Sequence, residues 1–172
     1  MQQELRISVE DRNASVIRSY VEGCVILKAY PRQLISIRVD IERDEGSALN
    51  VALNCCSLAL LDSGIELFLT PCCMSFAILP SHDDLLVDPI ASEESVATST
   101  LLCSFGQTNE LLLCEAEGPL DEEQLELALG LAARATGVLR EFMRTVIAKS
   151  TSLVLTTQAV SGAETEEESM AN

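Results

Sequence analysis

Between Asp11 and Tyr30 the residues Ile17, Val21, Cys24 and Lys28 fall on one helical stripe, with Asp11 or Asn13 placed to cap it. Tyr30-Pro31 predicts the stop, because proline pushes the residue before it out of the α region. From Leu34 to Arg43 the period drops to two. Ile35, Ile37, Val39 and Ile41 alternate with Ser36, Arg38, Asp40 and Glu42, the pattern of a half-buried strand. After Asp44-Glu45-Gly46-Ser47, residues 48–61 are apolar on nearly every side, which predicts a helix enclosed by other elements. Asp62-Ser63-Gly64 supplies its left-handed stop.

Strand-like runs follow from Leu67 to Leu79, at Leu85-Leu86-Val87, from Thr100 to Phe105 and from Glu110 to Glu115. The last two flank Gly106-Gln107-Thr108-Asn109, a hairpin signal. A capping box of Asp121 and Gln124 opens the longest helix, which is expected to run to about Lys149. Its stripe is Leu125, Ala128, Ala132, Ala135, Leu139, Phe142 and Val146, with Glu122, Glu123 and Glu126 near the start and Arg140, Arg144 and Lys149 near the end, matching the helix dipole. Beyond Ser150 the chain turns Ser/Thr-rich and then acidic, so residues 150–172 read as a disordered tail. The order helix, strand, helix, several strands, helix predicts an α+β (mixed α/β) domain.

At 172 residues and 48% apolar, the chain is long enough for one domain with a real core. Charged residues interrupt every hydrophobic stretch before it reaches the roughly 18 residues of a bilayer span, so no membrane role is expected. Met1-Gln2-Gln3-Glu4-Leu5-Arg6 has the features of neither a signal nor a transit peptide, which makes residence in cytosol or nucleus the expectation. The seven cysteines, at 24, 55, 56, 72, 73, 103 and 114, lie in apolar stretches without a C-x-x-C, and read as buried small hydrophobes in a reducing compartment. With His82 the sole histidine, in a polar loop, neither a structural zinc nor any other metal or cofactor is expected. Lys+Arg 11 against Asp+Glu 27 gives −16, a charge that repels phosphate backbones and leaves any nucleic-acid role to partners.

Tyr30-Pro31-Arg32 leading into the alternating strand, then Asp44-Glu45-Gly46-Ser47, then Leu53-Asn54-Cys55-Cys56-Ser57-Leu58-Ala59-Leu60-Leu61-Asp62-Ser63-Gly64-Ile65, resembles the central signature of the RNase PH family. Leu86-Val87-Asp88-Pro89, Glu93-Glu94, Asn109-Glu110-Leu111-Leu112 and the closing helix continue the resemblance in order, over about residues 12 to 149. Within the family it looks most like the RNase PH-like subunits of the eukaryotic RNA exosome ring, of the ribosomal-RNA-processing type. The resemblance implies a fold of the ribosomal protein S5 domain 2-like βαβ type. It also implies partnership with other RNase PH-like subunits in a hetero-oligomeric ring, with S1/KH cap subunits above it and RNA reached through the complex. Nucleus and nucleolus, and also cytoplasm, would be its locations. Family members carry further residues before the first helix. The resemblance therefore implies a shortened N-terminus, with residues 1–10, through Leu5, Ile7 and Val9, as a residual strand ahead of the 11–149 domain and with helix 48–61 short of cover.

Active members of the family perform phosphorolysis of RNA 3′ ends, which requires a phosphate held at a helix N-terminus by amides, a hydroxyl and an arginine, plus carboxylates for a divalent metal. The resemblance lays the phosphate loop on Gly46, Ser47, Ala48 and Leu49, where the arginine position falls on Ala48 or Leu49. Ser47 and the first amides are then left to cap the helix, and Glu45 would repel an anion. The metal aspartates fall near Ser92 and Thr98, neither a good hard-cation ligand. Asp83 and Asp84 read as a turn, Glu93 and Glu94 as the first turn of a short helix, and both pairs, like Asp88, as solvated charges. A non-catalytic subunit is the expectation; an active phosphate-dependent exoribonuclease using Asp88 or Glu94 is the alternative. Arg12, Arg18, Arg32 and Arg38 are the candidates for RNA contact, weighed against surface salt bridges.

Overall fold

A computed structural model describes residues 6–7, 11–80 and 85–170, with side chains over 12–80 and 85–151. Leu5, Val9, His82, Asp83 and Asp84 therefore lie outside the described residues. The elements are β1 (Arg6–Ile7), α1 (Asp11–Cys24), a 3-10 turn (Leu27–Ala29), β2 (Ser36–Ile37), α2 (Ala48–Asp62), β3 (Cys72–Ile78), β4 (Leu85–Val87), α3 (Ala91–Glu94), β5 (Ser99–Phe105), β6 (Leu111–Glu117) and α4 (Glu122–Met170). Two compact units result, Met1–Arg140 and Glu141–Asn172, and the second contains only the C-terminal part of α4 and the residues after it.

β1 and β2 pair in parallel, Ile7 opposite Ile37, with α1 as the crossover, which makes a βαβ unit. The remaining strands form an antiparallel sheet in the order β4-β3-β5-β6. Its two faces are both covered. Cys73 and Leu102 join Ile17, Tyr20, Val21 and Cys24 of α1 and Leu53, Cys56 and Leu60 of α2 on one side. Phe76, Leu101, Cys103 and Phe105 meet Ala128 and Ala132 of α4 on the other. Each fully buried Leu or Phe here contributes about 1.5–3 kcal/mol. Burial on both faces explains why β3 and β5 read as continuous apolar runs rather than as alternations.

The first helix stops at Cys24 rather than reaching Tyr30. Val25 bridges to Leu67, while the Ile26 amide donates to the Glu66 carbonyl and the Phe68 amide to that of Cys24. This cross-chain pairing takes the polar groups that a continued helix would have used, and Lys28 is left exposed on the 3-10 turn. Only Ser36–Ile37 of the predicted 34–43 strand is laddered, although Ile35, Ile37 and Val39 alternate with exposed neighbours as the pattern requires. Helix α2 is not enclosed all round. Val51, Cys55 and Ala59, at i, i+4 and i+8, are exposed and line a groove of about 640 Å³ beside Ile37, Val39 and Ile41.

The Asp121/Gln124 box forms reciprocally, with Gln124 N–H to Asp121 Oδ1 at 2.7 Å and Asp121 N–H to Gln124 Oε1 at 3.2 Å. The helix it opens runs to Met170, not to Lys149, so residues 150–170, expected as a disordered tail, are helical. No proline breaks the segment, Glu164, Glu166, Glu167 and Glu168 favour helix in its second half, and elongation from an existing helix needs no new nucleus. Its buried line is Ala128, Ala132, Thr136 and Arg140, which leaves Phe142 and Val146 of the predicted stripe exposed. Arg140 is thus no dipole charge at a helix end. Its Nε donates to Thr70 O at 3.0 Å, and its Nη2 to Phe105 O at 2.9 Å and Gly106 O at 2.8 Å, satisfying carbonyls where β3 begins and β5 ends. No helix among the described residues is long and apolar enough to cross a membrane.

Arg140→Lys removes the forked donor, and the bare carbonyls are expected to cost about 2–3 kcal/mol in urea unfolding; an unchanged midpoint would contradict the assignment. Burial, the largest cause in each case, pushes the thiols of Cys24 and Cys103 up to about 12 and those of Cys56 and Cys73 to about 11, against an ordinary value near 9. The native state keeps these protons after the unfolded chain has begun to lose its own. Their stabilisation is therefore complete below pH 9 and lost as pH rises from 9 to 12. Urea midpoints measured across that window should fall steadily.

Candidate functional site

The loop 44–47 is pinned to the start of α3. Gly46, at φ +111°, lies so close to that segment that a Cβ would stand 2.4 Å from Ala91 N and 2.7 Å from Pro89 O. The Ala91 amide donates to Glu45 O at 2.6 Å, and the Gly46 amide to Asp44 Oδ1 at 3.1 Å. Glycine here serves close packing against protein.

Ser47 stands at the N-cap of α2 in a left-handed conformation (φ 52°), and its side chain makes no cap hydrogen bond. This corrects the expected capping role. The hydroxyl donates instead to Pro89 O at 2.9 Å and accepts from Ser75 Oγ at 2.8 Å. The Ser47 amide donates to Glu94 Oε1 at 2.9 Å. Glu94, expected as a solvated charge, is therefore half-buried with its carboxylate at the N-terminal end of α2, where the helix dipole favours an anion. Glu93 is engaged as well, accepting from the Ile90 amide at 2.9 Å in the first turn of α3.

Between α2, the sheet and the start of α1 lies a cleft of about 240 Å³, lined by Ser47, Ala48, Leu49, Asn50 and Ser75, with Asp44, Glu94, Glu115 and Glu117 around it. Ala48 and Leu49 bring no charge. Arg12 is the one basic side chain of this lining. It is paired with Glu117, and that hydrogen bond is the main reason its guanidinium holds its proton more tightly than usual. Four carboxylates against one paired guanidinium make the cleft negative, the wrong sign for a phosphate. Asn54, which the sequence did not single out, holds α2 over the sheet: its amide exchanges hydrogen bonds with the Cys73 backbone, accepting at 2.9 Å and donating at 3.1 Å.

The other candidates are scattered. Ser92 and Thr98 are exposed and do not line the cleft. Asp88 is exposed, in a left-handed turn at φ 54°. Among the described residues no group of three His, Cys, Asp or Glu side chains is disposed to hold a metal ion. Arg18 pairs with Glu22 and Arg38 with Asp40, both at 2.9 Å, while Arg32 is exposed in a left-handed turn. The four arginines form no patch around the cleft, which Arg12 alone lines.

Comparison with known proteins sharpens this. The sequence profile of the 3′ exoribonuclease family, domain 1, matches residues 3–66, and that of domain 2 matches residues 70–135. An exosome complex component RRP46 homolog from Caenorhabditis elegans is 32% identical over 143 residues, 81% of this chain and 66% of the relative. The chain spans between about half and two thirds of the length of the curated relatives it matches first. The crystal structure of rice Rrp46 superposes with a TM-score of 0.75 at 21% identity, over 86% of this chain and 69% of that one. A chain of the Archaeoglobus fulgidus exosome with RNA bound to the active site superposes at 0.63 and 18% identity, over 75% and 59%. With both domain profiles in order along one α+β fold, this chain belongs to the 3′ exoribonuclease family, the RNase PH family that its central motif resembles.

Proposed function

We propose that this chain is a non-catalytic structural subunit of an RNA exosome core ring, supporting 3′→5′ RNA processing and degradation, ribosomal RNA included, through the complex rather than by its own chemistry. Its partners in this reading are other RNase PH-like subunits and S1/KH cap subunits, and its places of work are the nucleus and nucleolus, and the cytoplasm. The names of its relatives support the assembly, since those matched are exosome components.

The observation that carries the non-catalytic reading is the Glu94 carboxylate on the Ser47 amide. A phosphate at the start of α2 would have to displace an internal anion, then sit among Asp44, Glu115 and Glu117 with no unpaired cation in the lining to hold it. Ala48 and Leu49 at the arginine position, and Ser92 and Thr98 at the metal positions, agree with this. The exposed apolar stripe of α2 also suits a chain that is stable in company rather than alone.

Affinity purification of the tagged full chain is expected to recover ring and cap subunits; recovery of none would overturn the assembly. Incubated with labelled RNA, phosphate and magnesium, the chain should release no nucleoside diphosphate. Release that disappears in Asp88→Asn or Glu94→Gln would establish the catalytic alternative. In thermal melts phosphate should leave the native chain unchanged. Glu94→Ala should lose about 1–2 kcal/mol, the worth of a partly buried carboxylate at a helix N-terminus, and regain part of it when phosphate is added.

A further inference from the structure

Among the seven cysteines, Cys55 and Cys114 are exposed and the other five buried, which corrects the expectation that all are core residues. The two exposed thiols have different surroundings. Cys55 neighbours Cys56 on α2, where successive side chains point roughly 100° apart. Cys114 stands in β6 directly across the ladder from Cys103 in β5. Directly opposed residues of an antiparallel pair project from the same face with Cα atoms about 4.5–5.5 Å apart. A disulfide spans about 4.4–6.8 Å, so the register already brings this pair within bonding range. The two side chains are in hydrogen-bonding reach of one another. No other two cysteines of the described sheet are register partners.

The environments are complementary too. Cys103 is fully buried in the cluster that includes Ala128 and Ala132 of α4, whose short side chains cover that face of β5. Cys114 lies on the outermost strand, with no further strand beside it among the described residues. One thiol is therefore open to a reagent from solvent, and the other is held behind it.

We infer that Cys103 and Cys114 are a reversible oxidation site, closed to a cross-strand disulfide by a small-molecule disulfide such as oxidised glutathione. The Cys114 thiolate attacks the small disulfide, a mixed disulfide forms at Cys114, and one small thiolate leaves. Cys103 gives its proton to that leaving base or to water and attacks the Cys114 sulfur, expelling the second small thiol. Two protein thiols are oxidised to one disulfide, and one small disulfide is reduced to two thiols. Burial, reinforced by Cys114, suppresses ionisation of Cys103, so the second step waits on opening of the sheet edge and is the slow one. Closure ties the edge strand to its neighbour. Because β6 carries Glu115 and Glu117 on its other face, the bond also fixes the acidic wall of the cleft.

The test uses the full chain, equilibrated in graded glutathione redox buffers, quenched with iodoacetamide and digested without reduction. A Cys103–Cys114 linked peptide is expected in the native sequence and in Cys55→Ser, and none in Cys114→Ser. Cys103→Ala should retain glutathione on Cys114. Since that variant alters the core, the exposed Cys114→Ser carries the control: oxidised native chain should melt higher than reduced chain, and Cys114→Ser should show no such shift. Glutathione persisting on Cys114 of the native chain, a linkage through Cys55, or equal melting of the two redox forms would overturn the proposal.

Discussion

The start of α2 is held by its own protein through Ser47 and Gly46. Glu94 takes the Ser47 amide, Pro89 takes the Ser47 hydroxyl, Ser75 donates to that hydroxyl, and Gly46 lets the loop touch the backbone of Ala91. A helix N-terminus with unsatisfied amides is an anion site by default. Here Glu94 takes up part of that capacity at the Ser47 amide, and the contacts of Ser47 and Gly46 fix α2 against α3 and against β3. The cleft and the seating of the helix are thus consequences of one arrangement.

A second constraint is the double covering of the sheet. With α1 and α2 on one face and α4 on the other, β3 and β5 have no solvent side, and among the described residues Ser104 Oγ in β5 is the one buried side-chain polar atom left without a partner. Asn54 completes the Cys73 backbone, Tyr20 and Ser57 bond one another at 2.8 Å, and Arg140 gathers three carbonyls. Buried polar groups left bare would each cost about 1–3 kcal/mol, so these contacts locate the helices more tightly than apolar packing alone.

Charge organises the surface in the same direction. At −16 the chain repels nucleic acid at long range, and the arginines that remained as candidates are mostly spent on local partners, Arg12 with Glu117, Arg18 with Glu22 and Arg38 with Asp40. Exposed pairs of this kind add little stability, yet each removes a cation from the pool that a phosphate backbone would use.

By itself the sequence determined the element order, the 106–109 hairpin, the Asp121/Gln124 box and both ends of α2 to within a residue. These depend on periodicity and on turn and cap residues, all of which are local properties. Tertiary structure decided the rest. Val25 left its helix because Leu67 offered a bridge, and Arg140 moved from a dipole charge to a buried clamp because three carbonyls converge on it. Glu94 became the occupant of the α2 terminus because a residue 47 positions away folds onto it, and Cys114 met Cys103 through strand register. Each is a contact between groups far apart along the chain, where neither partner carries any mark of the other until the backbone has brought them together.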